Sequence, residues 1–244
     1  MEAAIRAHAA ATPTSTRVLL LGATPRLADM QWPDGSMMLA VDSSRAFVRD
    51  VWPGDIPGRR GAVQADWRSL PVRDAACDVA VGDGSLNCLR YPDGIRVAAG
   101  AVQRALGRHG LLALRVFVRP DVCESPEELV QDVAAGRVET FHQFRFRLLI
   151  AMQRSAHEGV AVRDVHRFWR DLASREGALP ATAGWRREDL QAIEPYRESS
   201  AVHTFPTLSE WRAVLADRFE QIAVRPASYV LGDRCPIIVW RSRS

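Results

Sequence analysis

Five short apolar runs in the first half of the sequence constrain the fold more than any other feature. Each run lies between turn or helix signals and is mainly apolar, without the alternation of a half-exposed strand. Such runs predict parallel strands that are covered on both faces. They occupy residues 17–22, 36–42, 61–66, 77–84 and 110–120. We therefore predict an α/β fold with an open, doubly wound, mostly parallel sheet.

A helix is predicted between the fourth and fifth runs. Apolar residues recur there at helical spacing, and Gly107 and Gly110 lie near the end of the pattern. The predicted inward stripe consists of Ile95, Val97, Ala98, Ala101, Val102, Ala105 and Leu106. A helix in this connection lets the two flanking strands run parallel.

The pattern changes after Pro120, where helical signals replace strand signals. A capping box at Ser125–Glu128 begins the first of these helices. Further helices are predicted at residues 139–155, 162–174 and 187–196. This part of the chain is therefore expected to be a helical insertion after strand five.

Strand signals return near the end of the chain. A helix over residues 208–218 precedes two runs at 219–230 and 234–242, with Gly232 and Asp233 between them. The simplest prediction is an antiparallel hairpin at a sheet edge. The 244 residues are then expected to form a single domain. Its predicted parts are an N-terminal arm (1–15), a core (16–120), the helical insertion (121–205) and a closing helix and hairpin (206–244).

Composition argues against several classes of protein. All 32 basic residues are arginine, so no lysine is available as a base or for a Schiff base. Residues 121–205 contain 11 arginines and 14 acidic residues, which is not the basic surface that nucleic acid requires. No apolar run is long enough to span a membrane, and residues 1–15 lack the apolar core of a signal peptide. We expect a cytoplasmic protein that binds neither nucleic acid nor membrane.

The four cysteines give no sign of a metal site or a disulfide framework. They are widely spaced, they form no CxxC pair, and no histidine lies at metal-ligand spacing from them. We therefore predict no bound metal and reduced thiols, most of them buried.

The first strand leads into an unusual turn, Gly22-Ala23-Thr24-Pro25. A dinucleotide-binding turn has three glycines, which let the backbone approach a pyrophosphate at a helix N-terminus. Here a single glycine remains, and Pro25 suits the first turn of a helix because no N–H is needed there. The turn is better matched to a ligand without phosphates.

Polar residues also follow the next three strands. Asp42 ends the second strand, 20 positions after Gly22, where an acidic side chain can accept hydrogen bonds from both ribose hydroxyls. Asp66 and Trp67 follow the third strand, where a carboxylate can accept from an adenine amino group and an indole can stack. The fourth strand ends in the polar loop 82–87.

In this order, these features resemble the class I S-adenosylmethionine-dependent methyltransferases. The matching stretches are LGATP, AVDSS, QADWRSLPV, VGDGSLN and LGRHGLLAL. The resemblance covers residues 17–120, and the closing hairpin matches the antiparallel pair at the end of that family's sheet.

The resemblance implies roles for individual residues. The backbone of Gly22, Ala23 and Thr24 would lie against the methionine part of the cofactor. Asp42, with Ser43 beside it, would bind the ribose, and Asp66 would bind the adenine amino group. The remaining implied contacts are Trp67 or Leu70 in the adenine pocket, and Asp83 and Gly84 beside the sulfonium.

Each of these residues also has a purely structural interpretation. Asp42 and Asp66 can cap the segments that follow them. Trp67 can be a packed residue, and Gly82-Asp83-Gly84 can be a turn in which the aspartate accepts a local hydrogen bond. Their shared place at the carboxyl ends of strands favours the binding site.

The insertion brings aromatic residues beside charged ones on two predicted helices. They can form a pocket wall that binds an organic substrate above the methyl donor, or they can pack the helices against the sheet; for most of them we favour packing. His142, His166 and His203 are the candidate bases in this segment, and each is also a candidate structural histidine.

The sequence therefore predicts a methyltransferase that moves a methyl group from S-adenosylmethionine to a small-molecule acceptor and releases S-adenosylhomocysteine. We expect a monomer or a homodimer. An NAD(P)-dependent oxidoreductase would need the GxGxxG turn that the chain lacks. A non-catalytic protein of this fold, acting as a regulator or partner subunit, is the alternative that the single glycine leaves open.

Overall fold

The computed structural model describes residue 1 and residues 5–8, 15–175 and 183–243. The chain divides into two compact units. The predicted insertion 121–205 lies within the second unit. The expectation that both units form a single domain stays a prediction. The first unit comprises Met1–Leu86, Pro92–Phe117 and Ser209–Ser244, and the second comprises Asn87–Tyr91 and Val118–Leu208.

The regular elements follow the predicted order closely. The strands are β1 (Arg17–Leu21), β2 (Met37–Asp42), β3 (Arg60–Gln64), β4 (Val79–Asp83), β5 (Leu111–Arg115), β6 (Val160–Ala161), β7 (Val202–His203), β8 (Phe219–Arg225) and β9 (Ile237–Ser242). The α-helices are α1 (Pro25–Ala28), α2 (Asp93–Leu106), α3 (Pro126–Ala134), α4 (Phe141–Ala151), α5 (Val162–Arg175), α6 (Arg187–Leu190) and α7 (Leu208–Leu215).

The first unit is built on a seven-stranded sheet with the order β3-β2-β1-β4-β5-β9-β8. Strands β1 to β5 are parallel to one another, and β9 is antiparallel to both β5 and β8. The predicted fold class, a mostly parallel sheet with an antiparallel C-terminal pair, is confirmed.

Burial explains why the central strands are apolar throughout. Leu20 of β1 pairs with Ala40 on one side and Val81 on the other, and all three are buried. Both faces of β1, β4 and β5 are therefore removed from water. Edge strand β8 alternates between buried and more exposed residues, as expected for a strand with one face toward solvent.

Helix α2 lies between β4 and β5 as predicted, but one residue of its stripe was assigned to the wrong face. Val97 is 54% exposed, whereas Ala99 is fully buried. The buried face is centred on Ile95 and Val102, and at 100° per residue Val97 lies on its opposite side. Gly107 ends the helix with a positive φ, as the sequence indicates.

Two predicted strands end five residues early in the structure. Strand β5 ends at Arg115 and β8 ends at Arg225, and the predicted turn at Gly232-Asp233 is one part of a longer connection. An 11-residue connection joins β8 to β9 and contains a 3₁₀ turn at Gly232–Arg234. The connection is stabilised by its own backbone bonds, since Gly232 donates to Tyr229 and accepts from Ala227. Such a local network leaves no periodic pattern in the sequence.

The N-terminal arm contributes to the core of the first unit. Residues 5–8 are helical and Ile5 is buried in the hydrophobic core, while the rest of the predicted arm, except residues 1 and 15, lies outside the described residues. No helix in the described part of the chain is long and apolar enough to cross a membrane.

The second unit is mainly helical. The predicted capping box is present at α3, where Ser125 and Glu128 each accept from the other's backbone N–H. Four aromatic rings of this unit pack on one another with centroids 4.9–6.2 Å apart. These rings belong to Phe141, Phe144, Trp169 and Trp185. The expected packing of the helices against the sheet stays a prediction.

Two buried amides hold the segment around β7 in the second unit. Gln153 donates to the Phe205 carbonyl (2.9 Å) and accepts from its N–H (2.7 Å). Asn87 donates to the Thr204 carbonyl at 2.6 Å, and the Asn87 carbonyl accepts from the Thr204 N–H. Strand β7 has only two residues and forms few backbone hydrogen bonds, so these side-chain bonds hold the segment in place.

We expect Gln153→Met to lower the free energy of unfolding by about 2 kcal/mol or more, because it leaves the buried N–H and carbonyl of Phe205 without partners. Urea unfolding measures the change. Gln131→Met, at an exposed position on α3, is the control and should change stability by less than about 0.5 kcal/mol. Equal effects of the two substitutions would contradict the assigned role of Gln153.

Candidate functional site

The candidate site lies in the first unit, where parallel strands β1, β2 and β4 end side by side. Leu21 pairs with Val41 of β2 and with Gly82 of β4, so the loops that follow these strands leave the same edge of the sheet. Ligands of open α/β sheets bind outside this carboxyl edge. The structure therefore brings together the strand ends on which the sequence prediction depends.

Gly22 forms a tight turn directly after β1. Its φ is +104°, a value that residues with a side chain rarely adopt, and its N–H donates to the Val41 carbonyl at 2.8 Å. A Cβ at this position would lie 3.5–3.8 Å from atoms of Thr24, Asp42 and Trp67. Pro25 occupies the first turn of α1, as predicted.

Asp42 connects this turn to the end of β2. Its side chain accepts from the Ala23 N–H at 3.1 Å through one oxygen and from the Ser44 N–H at 2.8 Å through the other. The residue is only 8% exposed. A carboxylate has about four lone-pair positions, so acceptor capacity remains for a ligand hydroxyl. The neighbouring Ser43 is exposed, and its carbonyl accepts from Gln64.

Asp66 has the capping role that the sequence left open. It accepts from the Arg68 N–H at the start of the 3₁₀ turn Trp67–Ser69, and its carboxylate is paired with the Arg68 guanidinium at 2.6 Å. The Arg68 hydrogen bond lowers the pKa of Asp66 below its usual value. Its contact with an adenine amino group stays a prediction.

Trp67 is turned toward the glycine turn. Its indole N–H donates to the Val41 carbonyl at 2.5 Å, and its ring edge is among the atoms closest to the missing Cβ of Gly22. Leu70, the other residue predicted for the adenine pocket, is buried. Of these two residues, Trp67 is the one that is partly exposed.

Asp83, at the end of β4, is paired with an arginine that the sequence prediction missed. Arg115, the last residue of β5, donates to both carboxylate oxygens of Asp83 at 2.5 and 2.6 Å. The two residues are aligned partners in the parallel ladder. This register is the signal that could have found the contact, because the two residues occupy aligned positions on neighbouring parallel strands.

Two aromatic residues lie beside the Asp83–Arg115 pair and the loop after β4. Tyr229, from the connection between β8 and β9, accepts from Arg115 at 3.1 Å and is half exposed. Phe117 covers Gly84, whose φ is +64°; a Cβ on that glycine would come within 2.5 Å of the Phe117 ring. Burial raises the pKa of the Tyr229 phenol above its usual value, so at neutral pH it is uncharged.

The rest of the polar loop after β4 is used internally. The buried Ser85 hydroxyl donates to the Leu21 carbonyl at 2.5 Å, and Asn87 makes the contacts with Thr204 that are described above. The loop is thus a structural connection as well as a candidate binding surface.

The three candidate histidines lie in different surroundings in the second unit. His142 faces Asp189 at 3.6 Å and is exposed, whereas His166 is buried and faces Glu194 at 3.4 Å. Burial, with a contribution from the charge of Arg145, lowers the pKa of His203. His203 is therefore uncharged at neutral pH, and a catalytic role of any of the three stays a prediction.

No group of three or more histidine, cysteine or acidic side chains in the described ranges has an arrangement that could hold a metal ion. The four cysteines are free; Cys77 and Cys235 are buried, Cys123 is partly buried and Cys88 is exposed. Burial raises the pKa of the Cys77 thiol to about 11.

Comparison with known proteins identifies the fold. No protein-family model and no curated protein sequence matches the chain. Among solved structures, a S-adenosylmethionine-dependent methyltransferase from Methanosarcina mazei is similar over 94% of this chain and 93% of its own, at a TM-score of 0.50 and 16% identity. A Burkholderia thailandensis 1,6-didemethyltoxoflavin N1-methyltransferase, bound to that compound and to S-adenosylhomocysteine, is similar over 99% of this chain and 76% of its own, with a TM-score of 0.54 and 13% identity.

The chain thus adopts the class I methyltransferase fold. A structure from Rhodobacter sphaeroides that is named for Zn-dependent alcohol dehydrogenases is also similar, with a TM-score of 0.59 and 13% identity over 95% of this chain and 86% of its own. At these identities the likeness establishes the fold and leaves the chemistry to the residues of the site.

We expect Asp83 and Arg115 to be energetically coupled. In a double-mutant cycle with Asp83→Asn and Arg115→Met, the double variant should lose about 1 kcal/mol less stability than the two single variants together, because each partner is partly buried and left unpaired by the other's substitution. Chemical unfolding of the four proteins gives the coupling energy.

The exposed pair Asp93–Arg96 on α2 is the control for this cycle. Its coupling should be below about 0.5 kcal/mol. Additive effects at Asp83 and Arg115 would show that their contact contributes nothing.

We expect His203 to make the protein less stable in mild acid. Its pKa is lower in the folded state than the unfolded value of 6.5, so the unfolded chain binds more protons as the pH falls through that value. Between pH 7.5 and 5.5, the Tm of the wild-type protein should therefore fall further than that of His203→Gln. His142→Gln, at an exposed position, should follow the wild type, and parallel curves for all three proteins would exclude the effect.

Proposed function

We propose that this chain is a S-adenosylmethionine-dependent methyltransferase that transfers a methyl group in line to a small-molecule acceptor. The observation that supports this most is that the Asp42 side chain lies against the Gly22 turn and accepts a hydrogen bond from it. A glycine turn and a carboxylate with remaining acceptor capacity lie together at the carboxyl edge of a sheet with the class I strand order.

The residues at this edge fit the cofactor in chemical type. The backbone of Gly22, Ala23 and Thr24 would face its methionine part, and Asp42 with Ser43 would accept from the ribose hydroxyls. Trp67 offers an indole beside the turn for the adenine. Asp66 would accept a hydrogen bond from the adenine amino group through a carboxylate that also stays paired with Arg68. When bound, S-adenosylmethionine supplies a methyl group that its sulfonium already activates.

The residues after β4 are better suited to positioning than to proton transfer. The charge of Asp83 is balanced by Arg115, and Gly84 is covered by Phe117, so this loop offers no free base. The uncharged Tyr229 hydroxyl and the paired Arg115 present donors that can orient an acceptor. Orienting the reactants can by itself lower the activation barrier substantially. A site without a dominant catalytic base is consistent with that way of catalysis.

Two observations favour a small molecule as acceptor. The basic residues are spread over the chain and residues 121–205 carry more acidic than basic groups, which does not favour nucleic acid. The similar Burkholderia enzyme has 1,6-didemethyltoxoflavin and S-adenosylhomocysteine bound. We propose that the second unit recognises the acceptor and that the protein works in the cytoplasm as a monomer or homodimer.

Isothermal titration with S-adenosylhomocysteine tests the cofactor site. We expect micromolar binding at one site per chain, and at least tenfold weaker binding by Asp42→Asn. Asparagine keeps the size and one acceptor oxygen, whereas alanine would leave the Ala23 and Ser44 N–H groups without partners and disturb the turn. Asp34→Asn, at an exposed position before β2, is the matched control and should bind as the wild type does.

Absence of binding by folded wild-type protein would contradict the proposal. The non-catalytic alternative, a regulator or partner subunit of this fold, would then be the remaining hypothesis. If binding is found, transfer of label from radioactive S-adenosylmethionine into the low-molecular-weight fraction of a metabolite extract tests the acceptor class. Label in protein or nucleic acid alone would exclude a small-molecule acceptor.

A further inference from the structure

A pocket in the second unit is lined entirely by charged or titratable side chains. Its volume is about 370 Å³, within the range of small-molecule sites. Four arginines line it together with one histidine and one glutamate, and no apolar residue contributes. The lining residues are Arg163, His166, Arg167, Arg170, Glu194 and Arg197.

Helix α5 forms one wall of this pocket. Arg163, Arg167 and Arg170 are spaced four and three residues apart, so they lie on one face of the helix. Val165 and Trp169 of the same helix are buried. Packing of these two residues fixes the helix and therefore the direction in which the arginine face points.

The other wall comes from the 3₁₀ helix Gln191–Tyr196 and the residue after it. Glu194 faces the buried His166 at 3.4 Å, and this contact connects the two walls. Arg197 follows directly and adds the fourth guanidinium.

The charge of the pocket is only partly balanced by the protein. Arg167 pairs with Asp164 at 3.3 Å. Arg163, Arg170 and Arg197 have no hydrogen bond or ion pair from their side chains to any residue that the structure describes. Like charges on neighbouring side chains repel one another, and a bound anion would relieve that repulsion.

This concentration of positive charge contrasts with the rest of the segment. Residues 121–205 contain 11 arginines and 14 acidic residues, yet four of those arginines and only one of those acidic residues line this pocket.

We propose that this pocket binds the phosphate group of a small phosphate monoester. Guanidinium groups donate paired hydrogen bonds that match phosphate geometry. A phosphate monoester carries close to two negative charges and three acceptor oxygens, which can satisfy several arginines at once. A carboxylate has one charge and two oxygens and satisfies one guanidinium. The recessed shape favours a small molecule over a flat macromolecular surface.

Titration calorimetry with phenyl phosphate at low ionic strength tests this site. We expect saturable binding at one site per chain and at least tenfold weaker binding of benzoate. The double variant Arg163→Gln/Arg197→Gln removes one arginine from each wall, and its dissociation constant for phenyl phosphate should rise at least tenfold.

The matched control is Arg154→Gln/Arg187→Gln. Both residues are exposed in the second unit, they do not line the pocket, and the change in net charge is the same. This variant should bind within about twofold of the wild type, which separates the pocket from the general attraction of a basic surface. Circular dichroism shows whether each variant is folded.

Thermal unfolding gives a second measurement that does not depend on heats of binding. Phenyl phosphate should raise the Tm of the wild type and of the control variant but not that of Arg163→Gln/Arg197→Gln. Equal binding by the two double variants, or equal affinity for benzoate, would overturn the proposal. Binding to vesicles that contain phosphatidic acid, without binding of phenyl phosphate, would also overturn it, because the phosphate would then come from a lipid.

This test is independent of the proposed methyl transfer. It uses no cofactor and it concerns residues of the second unit only. Failure of phenyl phosphate binding therefore leaves the cofactor experiment unaffected, and failure of the cofactor experiment leaves the phosphate site unaffected.

Discussion

The contact between the Asp42 carboxylate and two backbone N–H groups is the interaction on which the candidate site depends. It joins the turn after β1 to the end of β2. The same two hydrogen bonds therefore fix the shape of the glycine turn and the position of the buried Asp42 carboxylate. A buried carboxylate needs such partners, since an unsatisfied charge of this kind is costly. The same group therefore has a structural role and retains capacity for a ligand, which makes the two interpretations of Asp42 compatible.

The sequence predicted the fold of the first unit well because its central strands are covered on both faces. Continuous apolar runs identified β1, β4 and β5, and the antiparallel final pair was also correct. The errors lie where local contacts replace periodicity. The connection from β8 to β9 is held by backbone bonds of Gly232, and Val97 was placed on the wrong face because alanine neighbours make a helical stripe ambiguous.

The candidate site could be predicted from the sequence only in part. The strand ends supplied Gly22, Asp42, Asp66 and Asp83, since the carboxyl edge of a parallel sheet collects such residues. The partners of those residues were missed: Arg68 lies two positions from Asp66, whereas Arg115 lies 32 positions from Asp83. An acidic residue at a strand end shows where a carboxylate is, but its charge balance depends on side-chain contacts that only the structure reveals. Tyr229 and Phe117 were missed for the same reason.

These partners bear on what the fold can do. Where a carboxylate is already paired, as Asp83 is with Arg115, its field on a bound ligand is weakened, and the loop contributes mainly shape and hydrogen-bond donors. Similar folds carry names as different as methyltransferase and alcohol dehydrogenase, so strand order alone does not fix the reaction. The particular chemistry of this chain must then come from features that its fold does not require. Two such features are the single-glycine turn closed by Asp42 and Trp67 in the first unit and the arginine-lined pocket in the second. Neither feature completes a hydrophobic core, and the two proposals assign a ligand to each of them.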